Sequence, residues 1–246
     1  MHEASLHKVN WFVTLTYEKD PFTLRYSDVQ QAWKRLRERV GPFRFYLGGE
    51  YGETNPYTGV VDGGLYRPHF HALLFGVDFV DRRPLRLLGR AEYFSSAVLD
   101  DVWRHGKCVL GYVTFESAAY VARYCVKKRT GPGSEDHYRL VMPDGSVIQR
   151  EPEFARMSLR PGIGAGWYGR YGEDVRRGDA VICRGVPVLP PRYYDKLHGR
   201  LDPEGLAEAV EARADLGEER RADHTDRRNL VRGVVLAARQ QSIKRN

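Results

Sequence analysis

Apolar and polar side chains alternate between Trp11 and Tyr17, in a run of aromatic and β-branched residues. That period of two predicts a strand with one buried face. Pro21 breaks the run. From Asp28 to Val40 the period lengthens: Val29, Ala32, Trp33, Leu36 and Val40 recur at helical spacing behind a capping Ser27, and Gly41-Pro42 ends the segment. Phe43 to Glu50 returns to a strand pattern, and a Gly-, Pro- and Asn-rich loop follows from Tyr51 to Tyr66. Arg67 to Phe75 predicts a third strand, apolar along its second half and so central in its sheet. Pro84 to Gly89 fits no single pattern. Ser95 or Ser96 caps a predicted helix reaching His105, with Val98, Leu99, Val102 and Trp103 on one face. Cys108 to Phe115 predicts a fourth strand. A helix from Ala118 to Arg129, capped by Ser117, stops at Gly131-Pro132-Gly133.

The resulting order, β-α-β-β-α-β-α, places the chain in the α+β class. Its first six elements fit a ferredoxin- or RRM-like antiparallel sheet carrying helices on one face. Beyond Gly131 the pattern weakens to an irregular and helical C-terminal extension. Residues 138–150 suggest a hairpin around Pro143-Asp144-Gly145, Ser158 to Tyr171 is rich in Gly and aromatics, Val181 to Leu189 suggests a short strand, and residues 203–228 a solvated helix. These readings divide the chain into a core at 1–131, an accessory segment packed on it at 132–199, and a charged helical tail at 200–246. Residues 1–8 are polar and expected to be loose. Trp11, Trp33 and Trp103 are expected in the core, and Trp167 is a residue that could stack on a base. The scattered His2, His7, His105, His137, His198 and His224 are expected to be exposed.

Composition narrows the function classes. The formal net charge is +7, and the basic residues are 31 Arg against 8 Lys. Arg presents a planar fork suited to phosphate, which directs attention to nucleic acid. No apolar run is long enough to span a membrane, and the first residues carry no signal-peptide pattern. Cys108, Cys125 and Cys183 are widely spaced and read as reduced thiols rather than a disulfide or zinc framework.

Two segments carry candidate chemistry. In Arg67-Pro68-His69-Phe70-His71, strand alternation sends His69 and His71 to one face and Phe70 to the other. Alone, this is also the pattern of two surface histidines. If the Phe43–Glu50 strand pairs with this one, Glu50 joins them, and two imidazoles with one carboxylate make a mixed N/O site suited to Mg²⁺ or Mn²⁺ acting on a phosphodiester. Glu53 is a weaker substitute. In Tyr120-Val121-Ala122-Arg123-Tyr124-Cys125-Val126-Lys127-Lys128, Tyr120 and Tyr124 share a helical face and Lys127 stays on it. The plain alternative is an aromatic stripe packed on the sheet. A phenol is a weak nucleophile at neutral pH, and a nearby Lys and a metal-polarised phosphate are what would make its attack feasible. Between Arg104 and Thr130 there are six basic residues and one acidic one, a local field that attracts a polyanion.

In this combination and order, Thr14-Leu15-Thr16, Glu50, His69-Phe70-His71, then Tyr120 and Tyr124, the sequence resembles the HUH endonucleases, and among them rolling-circle replication initiators. The Tyr-Val-Ala-Arg-Tyr-x-x-Lys helix and the later Met157-Ser158-Leu159-Arg160-Pro161-Gly162-Ile163-Gly164 resemble the initiators of microviruses of the gokushovirus-like branch. The resemblance covers roughly residues 11–194. It implies an HUH nuclease fold and a metal-dependent, site-specific DNA endonuclease and strand transferase. Glu50, His69 and His71 would hold the metal, Tyr120 and Tyr124 would be nucleophiles, Lys127 would assist at the phosphate, and Arg123, Lys128 and Arg129 would bind DNA. It implies single-stranded origin DNA as substrate, a 5′-phosphotyrosine intermediate with a free 3′-OH, later rejoining, and a host helicase and DNA polymerase as partners in the bacterial cytoplasm. No small-molecule cofactor and no membrane are implied, and the lack of a GxxxxGK[ST] loop argues against a fused helicase. The alternatives are a non-enzymatic single-stranded nucleic-acid-binding module on an RRM-like sheet, and a plasmid relaxase or transposase of the same fold.

Overall fold

The structure is a computed structural model that describes residues 1–53, 59, 64–85, 92–123 and 128–243. The chain folds into two compact units, Met1–Trp167 and Tyr168–Asn246. In the first unit the elements are β1 (Asn10–Thr16), α1 (Tyr26–Val40), β2 (Arg44–Tyr51), β3 (Pro68–Phe75), β4 (Arg83–Leu85), β5 (Tyr93–Ser95), α2 (Ala97–Trp103), β6 (Cys108–Tyr112), α3 (Phe115–Ala122), α4 (Ser134–His137), β7 (Arg139–Val141), β8 (Val147–Gln149) and β9 (Phe154–Met157). Seven strands form one sheet in the order β4-β5-β6-β1-β3-β2-β9. All its pairings are antiparallel.

The odd-numbered residues of β1 point to one face and the even-numbered to the other, so the alternation read in the sequence assigns the faces. Trp11, Val13 and Leu15 join Leu47, Phe70, Ala72, Leu74 and Leu110 in the main core. α1 closes that face with Val29, Ala32, Trp33 and Leu36, one turn apart as expected, and α2 does so with Leu99, Val102 and Trp103. Gly41 ends α1 at φ +79°, a left-handed conformation that favours a residue without Cβ, and its N–H reaches back to the Arg37 carbonyl at 2.9 Å. Ser96 caps α2, accepting from Leu99 N at 3.1 Å, and is itself fixed by the Asp81 carboxylate at 2.8 Å. The Trp103 indole donates to the Thr16 carbonyl at 2.7 Å, which ties this layer to the end of β1.

α3 lies on the other face. Its Val121 is fully buried with Leu73 and Phe75 of β3, and Phe12, Tyr46 and Ala118 pack beside them. β3 is therefore covered on both sides, which is why its sequence reads as nearly continuous apolar residues. The helix starts three residues earlier than expected. Thr114, not Ser117, is the N-cap, and the two form a reciprocal capping box. It also stops sooner: the described helix ends at Ala122, and Lys128 to Thr130 are irregular because the Arg129 N–H is taken by the Tyr138 hydroxyl at 2.9 Å rather than by a helical carbonyl.

The N-terminal residues are not loose. Glu3 is 3% exposed and accepts from Gly164 N at 2.7 Å, from the Arg44 guanidinium and from His7. Burial pushes its carboxyl up, but these donors outweigh burial and hold it below the usual carboxylate range. A lowered folded-state pKa contributes stability above the unfolded value, and that contribution is lost as pH falls through the folded value. Glu3→Gln is accordingly expected to cost about 1–3 kcal/mol at neutral pH. The difference from the native chain should close at strongly acidic pH, as read by urea unfolding at both. His2, also expected to be exposed, is half-buried and stacks on Trp167 with ring centroids 3.6 Å apart, so one face of that indole is occupied by protein.

The remaining expectations resolve locally. Residues 139–149 form the β7–β8 hairpin around Gly145 as read from Pro143-Asp144-Gly145. β9, which no sequence pattern announced, joins the main sheet beside β2. In the second unit α5 (Ala165–Gly178), which opens at the boundary, leads to β10 (Val181–Cys183), β11 (Val186–Val188), α6 (Arg192–Leu201), α7 (Pro203–Glu219) and α8 (Asp226–Ile243). The expected single strand from Val181 is a hairpin, because Arg184 and Gly185 at φ +52° and +78° turn it back. The expected single helix over 203–228 is two, parted by a 3-10 turn at Arg221–Asp223. His198 is buried rather than exposed, one helical turn from the buried Tyr194. Arg213 of α7 bonds to both Asp179 and Asp195, at 2.6 Å and 2.9–3.0 Å. Among the described residues no helix is long and apolar enough to cross a membrane.

Candidate metal centre and tyrosine site

The pairing of β2 with β3 sets Glu50 directly across from His69 and Gly48 across from His71. The pairing of β1 with β3 sets Thr14 across from His71. Residues paired across an antiparallel ladder point to the same face, so Glu50, His69, His71 and Thr14 all emerge on the α3 side. Phe70, between the histidines, is buried in the opposite core with Trp103 and Phe154. Gly49, between Gly48 and Glu50, faces that same core, where a Cβ would lie 3.1 Å from the Phe70 ring.

Glu50 Oε1 sits 2.8 Å from His69 Nε2 and 3.2 Å from His71 Nε2, and one ligand atom from each of the three residues lies within 4.8 Å of the others. The two rings meet edge to face with centroids 4.9 Å apart. Both Nδ1 atoms are engaged elsewhere: that of His69 donates to the Arg67 carbonyl at 3.2 Å, and that of His71 lies 3.0 Å from Thr14 Oγ1. With Nδ1 carrying the proton, each Nε2 turns a lone pair toward a carboxylate oxygen, an arrangement that repels unless a cation lies between. Two oriented imidazoles and a buried carboxylate thus fit a divalent ion, and the cluster could hold one. Glu53 is not part of it.

Tyr120, at the exposed edge of α3 and 37% accessible, donates from its hydroxyl toward Glu50 Oε1 at 3.5 Å. Its ring meets His71 edge to face at 5.2 Å and Phe12 at 6.3 Å, and the Arg123 guanidinium lies 5.5 Å above it. Val121 explains the placement. Its burial fixes the rotation of α3, and the residue before it is then left over the histidines. Lys128 and Arg129 are exposed, and Lys128 borders a concavity with Glu151, Glu153 and Arg156. Tyr124, Lys127 and Cys125 lie outside the described residues. Cys108 is a buried thiol beneath α2, pushed up by burial and by Asp100.

Thr14 was visible in the sequence only as part of a strand, and its role as a partner of His71 follows from register alone. Thr14→Val is expected to weaken metal binding about 10–100-fold, the usual effect of losing such a partner, with little change in stability. Titration of the protein with Mn²⁺ checks this.

Residues 10–129, which contain every element of this site, match the profile of the replication-associated protein ORF2 family. Residues 10–129 belong to that family. The chain is also 30% identical, over 82% of its length and 62% of the relative's, to the replication-associated protein VP4 of Bdellovibrio phage phiMH2K. It is 27% identical, over 77% of its length and 58% of the relative's, to the replication-associated protein ORF2 of Spiroplasma virus 4. The chain thus spans about three fifths of the length of the curated relatives it matches. No solved structure matches it.

Proposed function

We propose that this ORF2-family chain initiates replication of a phage genome by nicking and rejoining single-stranded origin DNA. The observation that carries the reading is the Tyr120 hydroxyl directed at Glu50, on the same sheet face as His69 and His71. In the proposed step the Tyr120 oxygen forms a bond to phosphorus and the bond to the 3′ oxygen breaks. The product is a 5′-phosphotyrosine and a 3′-OH able to prime a host polymerase. The phenolic proton has an acceptor in Glu50 at 3.5 Å. A divalent ion at the cluster, Mg²⁺ or Mn²⁺ by its mixed N/O donors, would supply Lewis-acid polarisation of the scissile phosphate. Thr14 and the Arg67 carbonyl hold the imidazoles, and Val121 seats the helix that bears the phenol.

Tyr124 serves in this reading as the second nucleophile, which cleaves the regenerated origin, with Lys127 beside the phosphate and Arg123, Lys128 and Arg129 on the DNA backbone. The linkage conserves the phosphodiester energy, so rejoining needs no ATP. A host helicase unwinds the duplex, in the cytoplasm of a bacterial host.

The test is incubation of the purified chain with Mn²⁺ or Mg²⁺ and a library of single-stranded oligonucleotides, followed by mass spectrometry of the adduct. The expected result is scission with a tyrosine-linked 5′ fragment, lost on chelation. Binding that ignores chelator, without scission, would replace this reading by a single-stranded nucleic-acid-binding module.

A further inference from the structure

The second unit ends in two helices with complementary, uncovered surfaces. α7 carries six acidic residues and one arginine, whereas α8 carries four arginines and one acid. On α8, Leu230, Val231, Val234 and Val235 form a continuous stripe and are 44–69% exposed. A row of large aliphatic side chains left in water marks an association surface. On α7, Ala207, Val210, Ala214 and Gly217 recur at i, i+3, i+7 and i+10 and are exposed, a shallow seam at coiled-coil spacing. The side of α7 that bears Arg213 is already engaged with Asp179 and Asp195. Bulky residues on one helix and small ones on the other interdigitate as ridges into grooves. The flanks agree in sign: Glu211 and Asp215 follow the α7 seam, and Arg227 and Arg232 the α8 stripe.

Within one chain these surfaces do not cover each other, since both are exposed. The turn between them is braced by Arg221 on Glu218 at 2.8 Å, by an Arg228–Asp223 ion pair, and by Asn229 Nδ2 donating to the His224 carbonyl at 2.9 Å. The surface that fits α8 in size, shape and charge is α7 of a second copy. We propose that two copies associate about a two-fold axis, with α8 of each lying on α7 of the other, so that each contact is made twice.

Analytical ultracentrifugation of the full chain at rising concentration tests this. The expected mass is twice that of one chain, falling toward one chain as salt is raised. Val234→Glu, at an exposed position, should return the protein to a monomer with its helical circular dichroism unchanged. Arg227→Glu/Arg232→Glu on α8 should do the same, and so should Glu211→Arg/Asp215→Arg on α7. Mixing the two charge-reversed proteins should restore the doubled mass, because each α7–α8 contact then pairs opposite signs again. A native chain that stays monomeric would overturn the proposal, as would a dimer indifferent to the α7 reversal, the outcome for α8 packing on α8. A monomer that binds vesicles of anionic lipid through α8 would overturn it in favour of a membrane surface.

Discussion

A Tyr120→Phe/Tyr124→Phe chain is expected to form no covalent adduct with single-stranded DNA under conditions in which the native chain does, while still binding the same DNA. The two variants remove only the phenolic oxygens. At Tyr120 the ring would keep its contacts with Phe12 and His71, so stability should change by no more than about 0.5–1 kcal/mol and the loss cannot be put down to unfolding. DNA affinity rests mainly on cations against phosphates, and those remain, so binding should persist and fall with added salt. His69→Ala/His71→Ala should lose scission by a different route. It leaves both phenols in place but removes two of the three donors around Glu50, and high metal concentration should restore little. Gel shift and denaturing electrophoresis of the same samples separate binding from adduct formation. A double tyrosine variant that still forms the adduct would remove the phenols from the mechanism while leaving the metal cluster to be explained.

Phe70→Ala should be the most damaging single change to stability in the core sheet, costing about 3–5 kcal/mol in urea unfolding. Phe70 is fully buried at the centre of β3, with its ring against Tyr17, Trp103 and Phe154. The cavity cannot close easily, because Gly49 beneath it offers no side chain to move in. The substitution falls between the two histidines, so it also tests whether their geometry depends on the packing behind them. Phe70→Leu refills most of the volume and should recover much of the stability. If metal affinity recovers with it, the core sets the positions of the imidazoles.

The elements that position the site were legible in the sequence because they obey simple periods. The i, i+3, i+4 spacing of Val29, Ala32 and Trp33 and the alternation of β1 each follow from a single buried face. The juxtaposition of Glu50 with His69 and His71 needed one further assumption, that β2 and β3 pair, and the register bears that geometry out. What escaped notice depends on contacts between residues far apart in the chain. Glu3 reads as a polar N-terminal residue until Arg44 and Gly164 are folded around it. β9 is only four residues long and has meaning solely as a neighbour of β2. The true start of α3 was missed for a local reason: Thr114 and Ser117 cap each other, and without the usual Glu or Gln in the second position the box has a weak signature.

Glu50 and His69 are brought together by a ladder of eight paired positions, not by a tight turn, since residues 52–67 separate the two strands. Length changes in that connection leave the pairing intact and should be well tolerated, which frees this loop to diversify among relatives at small cost. A one-residue insertion within β2 has the opposite consequence. It would turn Glu50 inward, strand its carboxylate among Phe70 and Phe154, and bring Gly49 to face the histidines. Chemistry and folding therefore share a single alignment, and selection for one protects the other.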